Sequence, residues 1–401
     1  MLALLLAAVI APPPVPPAAI RAHMAFLADD LLEGRGTATR GHEVAARYVF
    51  ASFEAAGLET SMQQVPLRRI ELDEAKSRVE LIRAGSVTTL VPGRDYAMSG
   101  AGFANLDVEG PVDKLLQLST EKDTDWDVIV RSIRGAPSFT PSSGAWLSLA
   151  ASNAVRQDPP QKVHIVKTSR ITEVQSPNVI GILRGSDPKL RDEYVVISAH
   201  LDHLGIGQPV DGDAIYNGAV DNASGIAAIL ELARAFAARP PRRSLLFVAF
   251  TAEEPGDLGS AYFVANPPVE KSALVADINI DGGSVWAYQA LIGRGAERST
   301  LGRAVEAAGR KVVPDPFPEK FATSDQHSFA DAGIPAILLT SQRTAEARPL
   351  ALAWLKSRYH APGDDMSQPL DFDAAAQFTR DLYLVVAAVA NDGERPRWTA
   401  R

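Results

Sequence analysis

The sequence predicts an α/β fold: a mostly parallel mixed sheet flanked by helices, with a β-rich insertion or small subdomain. Two observations carry this. Continuous apolar runs recur at residues 178–183, 194–198, 244–250, 275–280 and 335–340. Helical stretches alternate with them, chiefly at 223–238 and 372–390. Strands that are apolar throughout and separated by helices belong to sheets covered on both faces, which are mostly parallel. The chain has 401 residues, 46% of them hydrophobic and 22% charged, so it can bury the core that such a sheet needs.

Taken in order, residues 1–11 read MLALLLAAVIA and are followed by PPPVPPAA. The apolar run is too short to span a bilayer and has the length of a signal-peptide core, although no Lys or Arg precedes it. Residues 1–19 are therefore expected to be a signal peptide with a stiff proline spacer, sending the chain to the periplasm or outside the cell. The competing reading is an apolar tail or a misassigned start, which leaves a cytoplasmic location open. No stable membrane insertion is expected of the mature chain.

Residues 20–91 form the N-terminal part of the main domain. Two helices are expected between Ile20 and Gly57, because Ala45, Tyr48, Val49 and Phe53 fall at helical spacing and Gly57 is a stop signal. Between them lies EGRGTATRG, residues 33–41, whose glycines match neither nucleotide motif and read as a structural turn. Residues 92–174 are weakly patterned and read as the β-rich insertion, with short β-like runs at 127–130 and 163–167. Residues 175–395 form the core.

In such sheets ligands bind beyond the carboxyl ends of the strands. The run 194–198 leads into His200 and Asp202, and NGAVDNASG places Asp221 just before a helix. The run 244–250 leads into TAEEPG with Glu253 and Glu254, and the run 275–280 ends at Asp281. Later, YHAPGDD supplies His360. Singly these are ordinary: an aspartate before a helix is usually an N-cap, and paired glutamates in a loop usually face solvent. Together, two imidazoles and three carboxylates on one sheet edge suit a pair of divalent ions such as zinc. The chain contains no cysteine, so thiolate ligands and disulfides are excluded. A net charge of -8 without a basic run argues against nucleic acid as a partner.

SAHLDHLG, NGAVDNASG, TAEEPG, NID and YHAP, in this order, resemble the co-catalytic zinc aminopeptidases of peptidase family M28. The resemblance covers about Asn178 to Ala390 and extends more weakly to DDLLEGRGTATRGHE. It implies a zinc-exopeptidase-like fold and a hydrolase that cleaves the N-terminal bond of peptides. Asp221 would bridge two zinc ions, with His200 and Asp281 on one and Glu254 and His360 on the other. Cobalt or manganese suit the same donors. Glu253 would be the general base, and Asp202 would accept the proton on the far nitrogen of His200. His203 receives no ligand role and is expected to be structural or to line the pocket. Asp325 and His327 either line the substrate pocket or stabilise their own loop. Val220 stands where many members carry a second acid.

Three other readings stay open. A related carboxypeptidase or amidohydrolase would share the fold, a single-zinc cyclase would need one metal, and a receptor-like module would bind without catalysis. The last is expected to lose ligands or base, and this chain keeps all six residues.

Overall fold

The computed structural model describes residues 12–73, 75–91, 96–98, 105–111, 147–149, 160–307 and 323–399. Two compact units are present. The larger comprises residues up to Val65, Ser176–Gly205 and Val210–Arg401.

The larger unit is organised by a seven-stranded sheet. Its strands are β1 (Glu59–Leu72), β2 (Ser169–Leu183), β3 (Tyr194–His200), β4 (Ser244–Phe250), β5 (Leu274–Ile280), β6 (Tyr288–Arg294) and β7 (Ala336–Arg343). Their spatial order is β1-β2-β4-β3-β5-β7-β6. The four central strands are parallel, while β2 and β6 pair antiparallel at the flanks. Every residue of β3, β4 and β5 is buried, as expected of strands covered on both faces. The parallel register brings the ends of β3 and β4 level, with Phe250 opposite His200. The strand ends expected to carry the chemistry therefore lie side by side.

The helices are α1 (Pro17–Leu27), α2 (Arg40–Ala55), α3 (Ser224–Ala237), α4 (Leu258–Ala265), α5 (Leu301–Ala307), α6 (Gln326–Asp331), α7 (Arg348–Ser357) and α8 (Phe372–Asn391). Because side chains alternate along a strand, Val195 and Ile197 face one layer and Tyr194 and Val196 the other. The first layer joins them to Phe53 of α2, Ile229 of α3 and Phe378 of α8. The second joins Phe263 of α4 to Phe329 of α6. Each fully buried Phe or Ile is worth about 1.5–3 kcal/mol over exposure. A third cluster packs Ile20 and Met24 of α1 against Trp286 and Trp354, and Val220 belongs to it. An acid at position 220 would be placed in that apolar cluster.

Ser198, Asp277 and Asn279 are polar side chains buried among the central strands. Ser198 Oγ on β3 donates to Asp277 Oδ1 on β5 at 2.8 Å. Burial raises the Asp277 carboxyl well above its ordinary value of 3.8, and the Ser198 bond only partly opposes this. A carboxyl raised in this way binds its proton more tightly folded than unfolded. Its stability contribution is complete below about 3.8 and is lost as the pH climbs towards the folded value. Asp277→Asn, which cannot ionise, is expected to raise Tm by a few degrees at pH 8 and to change little at pH 4. Thermal unfolding at the two pH values checks this.

The smaller unit comprises Pro66–Gln175 and Ile206–Pro209. It thus takes in residues 66–91 as well as the segment 92–174 read from the sequence. Strands Ser86–Thr89, Arg78–Arg83, Lys162–Lys167 and Leu106–Pro111 form an antiparallel sheet in that order. His164 spans it, with Nε2 2.8 Å from Asp107 and Nδ1 2.7 Å from Glu80. Those two hydrogen bonds raise its pKa. The expected run at 163–167 is a strand of this sheet, whereas the run at 127–130 lies outside the described residues, as do residues 1–11. Among the described residues no helix is long and apolar enough to cross a membrane.

Candidate metal centre

His200 ends β3, Glu253 and Glu254 follow β4, and Asp281 follows β5. Asp221 sits in the turn entering α3. The capping that an aspartate here would ordinarily supply comes from its neighbour instead: Asn222 Oδ1 accepts the N–H groups of Gly225 and Gly282. This leaves the Asp221 carboxylate free to face the centre. His360 arrives on the loop after α7 in a left-handed conformation, φ 54°. Ala252, next to Glu253, is left-handed too, φ 55°. Such conformations in residues with a side chain are costly and cluster at functional sites.

The donors converge. Asp221 Oδ1 lies 3.1 Å from His200 Nε2, while Asp221 Oδ2 lies 3.3 Å from His360 Nε2. His200 Nε2 is also 3.4 Å from Asp281 Oδ1, and His360 Nε2 is 3.3 Å from Glu254 Oε2. Among the described residues, three overlapping groups have donor atoms within 4.8 Å of one another: His200–Asp221–Asp281, His200–Glu253–Glu254 and His203–Asp221–Glu254. The sequence-predicted ligands thus form one cluster, in which each Asp221 oxygen addresses a different imidazole.

Burial alone would lower the pKa of His200, but the charges of Glu253, Asp221 and Asp281 outweigh it and hold the imidazole well above its usual value. Burial would likewise raise Asp221, and hydrogen bonds from His200 and His360 instead hold it well below the usual carboxylate range. Glu253 moves the other way: burial, with Asp281 and Glu254 adding to it against His200, raises it well above that range. The cluster is a concentration of buried negative charge that recruits positive charge. Nitrogen and oxygen donors of this kind, with no thiolate, fit zinc and other divalent cations.

One expectation changes in detail. His200 Nδ1 lies 3.1 Å from the backbone carbonyl of Asp202, so that carbonyl, not the carboxylate, is its partner. The carboxylate points elsewhere: Oδ2 accepts from Thr37 Oγ1 at 2.8 Å and Oδ1 from the Glu253 N–H at 3.1 Å. Held by those two donors, the carboxylate is turned away from the ring. His203, for its part, is buried with Nδ1 2.6 Å from Glu254 Oε1, so it holds a predicted ligand directly.

Asp325 is fully buried at the start of α6, where burial and the charge of Asp257 raise its carboxyl well above the usual range. His327 is 39% exposed, with Nε2 3.5 Å from Asp331 one turn on. Neither belongs to the donor cluster. Asp364 was not singled out from the sequence, although it follows His360 by four residues in YHAPGDD. Its carboxylate accepts the N–H groups of Val220 and Asp221 and the indole N–H of Trp354. The loop that supplies His360 therefore also fixes the backbone of Asp221.

Residues 178–386 match the family model described as peptidase family M28. Among curated proteins, the chain is 37% identical over 111 residues to a probable zinc metalloprotease of Pyrenophora teres f. teres, covering 28% of this chain and 23% of that protein. It is 28% identical over 215 residues to aminopeptidase YwaD of Bacillus subtilis, covering 51% and 43%. The chain thus spans about a quarter to under half of the length of these relatives. Among solved structures, a zinc aminopeptidase from Bacillus subtilis superposes with a TM-score of 0.66 at 17% identity, covering 95% of this chain and 97% of that one. An aminopeptidase from Aneurinibacillus sp. strain AM-1 gives 0.64 at 18% identity, covering 95% of each. At such identities the likeness is one of fold.

Proposed function

Because the chain belongs to peptidase family M28, we propose that it is a zinc-dependent aminopeptidase that hydrolyses the N-terminal bond of peptides. The observation that carries this reading is the Asp221 carboxylate, with one oxygen towards His200 and the other towards His360. That is the disposition a carboxylate shared by two cations requires. His200, Asp221 and Asp281 would hold one zinc, and Asp221, Glu254 and His360 the other. When bound, such cations supply Lewis acidity, lowering the pKa of water and polarising a carbonyl.

The chain's own groups do the rest. Asp221 neutralises charge between the two positions, and His203 orients Glu254 through its Nδ1. The backbone carbonyl of Asp202 sets the orientation of the His200 ring, leaving Nε2 to face the cluster. Glu253 accepts the proton of the attacking water on its carboxylate and delivers it to the departing amine. Adjacent in sequence, Glu253 and Glu254 take separate tasks because a turn follows β4. The N–H groups of Gly256 and Asp257 both bond the Glu253 carbonyl, at 2.7 and 2.9 Å.

Dialysis against a strong chelator is expected to abolish hydrolysis of aminoacyl amides, and added zinc to restore it. Elemental analysis is expected to find two equivalents of zinc. One equivalent at full activity would remove the two-cation mechanism. Cleavage of acyl-amino acids with none of aminoacyl amides would replace the aminopeptidase by a related carboxypeptidase or amidohydrolase.

A further inference from the structure

The turn at residues 33–38 reads from sequence as a connector, yet its side chains reach the centre. Glu33, Gly34, Arg35 and Ala38 all have positive φ, between 50° and 65°. At Gly34 a Cβ would come within 2.4 Å of the Tyr216 carbonyl oxygen, so only glycine fits. A turn folded this tightly is held by contacts beyond itself.

Arg35 supplies most of them. It is 1% exposed, and its guanidinium donates to the carbonyls of Leu201 at 2.9 Å, Asn217 at 2.6 Å and Gly218 at 3.0 Å, and to that of Leu27. Leu201 precedes Asp202, and Gly218 lies three residues before Asp221, so one side chain ties both segments to the turn. The Arg35 carbonyl in turn accepts the N–H of His203. Two residues on, the Thr37 hydroxyl donates to Asp202, whose other oxygen accepts the Glu253 N–H. Asp202 is fully buried, so water does not compete for these bonds.

We propose that Thr37 is a positioning residue of the reaction centre: through the Asp202 carboxylate, its hydroxyl fixes the backbone of Glu253 and so the aim of the Glu253 side chain. The proposal deepens the aminopeptidase reading and rests on its assignment of Glu253 as base. Without the Thr37 hydroxyl, one Asp202 oxygen loses its donor, the carboxylate turns, and the Glu253 amide loses a fixed acceptor. Loss of an outer partner of this kind typically costs about 10–100-fold in activity.

The test uses the full, zinc-loaded chain and three variants. Thr37→Val keeps the shape and removes the hydroxyl, Thr37→Ser restores it, and Thr37→Ala serves if the valine variant does not fold. Expected for valine or alanine is a kcat lowered about 10–100-fold, with KM and zinc content unchanged and serine recovering most of the loss. Independently of activity, hydrogen exchange in peptides containing Glu253 is expected to quicken about 10-fold or more in the valine variant, with exchange in β3 and β5 unaltered. Unchanged exchange at Glu253 overturns the proposal whatever the kinetics. So does a kcat that falls only with the folded fraction, or that serine fails to recover. If the parent chain cleaves no aminoacyl substrate, the functional reading fails, while the exchange arm still decides the role of Thr37.

Discussion

Glu253→Gln is expected to lower kcat by about 10²–10⁴-fold while both zinc ions stay bound. Glutamine keeps the shape of the side chain and its place after β4 but cannot take a proton from water. The contacts that bring the donor cluster together do not depend on it: the imidazoles approach Asp221, Asp281 and Glu254. The Glu253 carboxyl is raised by burial and by neighbouring acids, so removing its charge relieves a cost of folding. Freed of zinc, the variant is therefore expected to unfold at a temperature no lower than the zinc-free parent. Steady-state kinetics, elemental analysis and thermal unfolding together check this. Near-parental turnover on every substrate of the parent would show that another group is the base.

Asp221→Asn is expected to empty the centre. An amide offers one acceptor oxygen where the carboxylate offers two, and its NH₂ group would face an imidazole or a cation. Both positions lose a donor and the shared negative charge. The affinity loss should exceed the roughly 10–100-fold typical of removing an outer partner, and turnover should approach background. The fold should survive, because the backbone here is held by Asp364 and by the Asn222 side chain. Expected readings are less than one equivalent of zinc after dialysis and an unfolding temperature below that of the chelated parent, in which the Asp221 carboxylate still pairs with His200 and His360. Two equivalents held with parental affinity would mean that Asp221 does not bridge.

What could be read in advance follows from what a sequence records. Periodicity and apolar runs are local, so β4 was found at its observed bounds and β3 and β5 within two residues of theirs. His200, Glu253, Glu254 and Asp281 were legible as candidates because parallel strands end on one edge. Asp221 and His360 stand in a turn and a loop, and the ligand roles came from the resemblance to family M28. The antiparallel β6 was missed because four of its seven residues are not buried and its apolar run, Ala290 to Ile292, is only three residues long. Arg35, Thr37 and Asp364 were missed as parts of the site for a different reason. Each acts through hydrogen bonds to groups more than 140 residues away, which leave no pattern in their own neighbourhood. The same holds for Asp202: its carboxylate was assigned to the His200 ring, whereas its carbonyl takes that place and the carboxylate faces Thr37 and Glu253.

The buried guanidinium of Arg35 also has a bearing on how the chain is made. Its acceptors at Leu201 and Gly218 lie 166 and 183 residues downstream. At ordinary rates of synthesis they leave the ribosome roughly ten to thirty seconds after Arg35 does. During that interval the Leu27 carbonyl is the one acceptor already made among the four, and water serves the other donors. The segment that steadies the finished centre is thus made well before the groups it bonds and can settle only once they follow. A chain started at residue 178, where the family match begins, would omit it entirely.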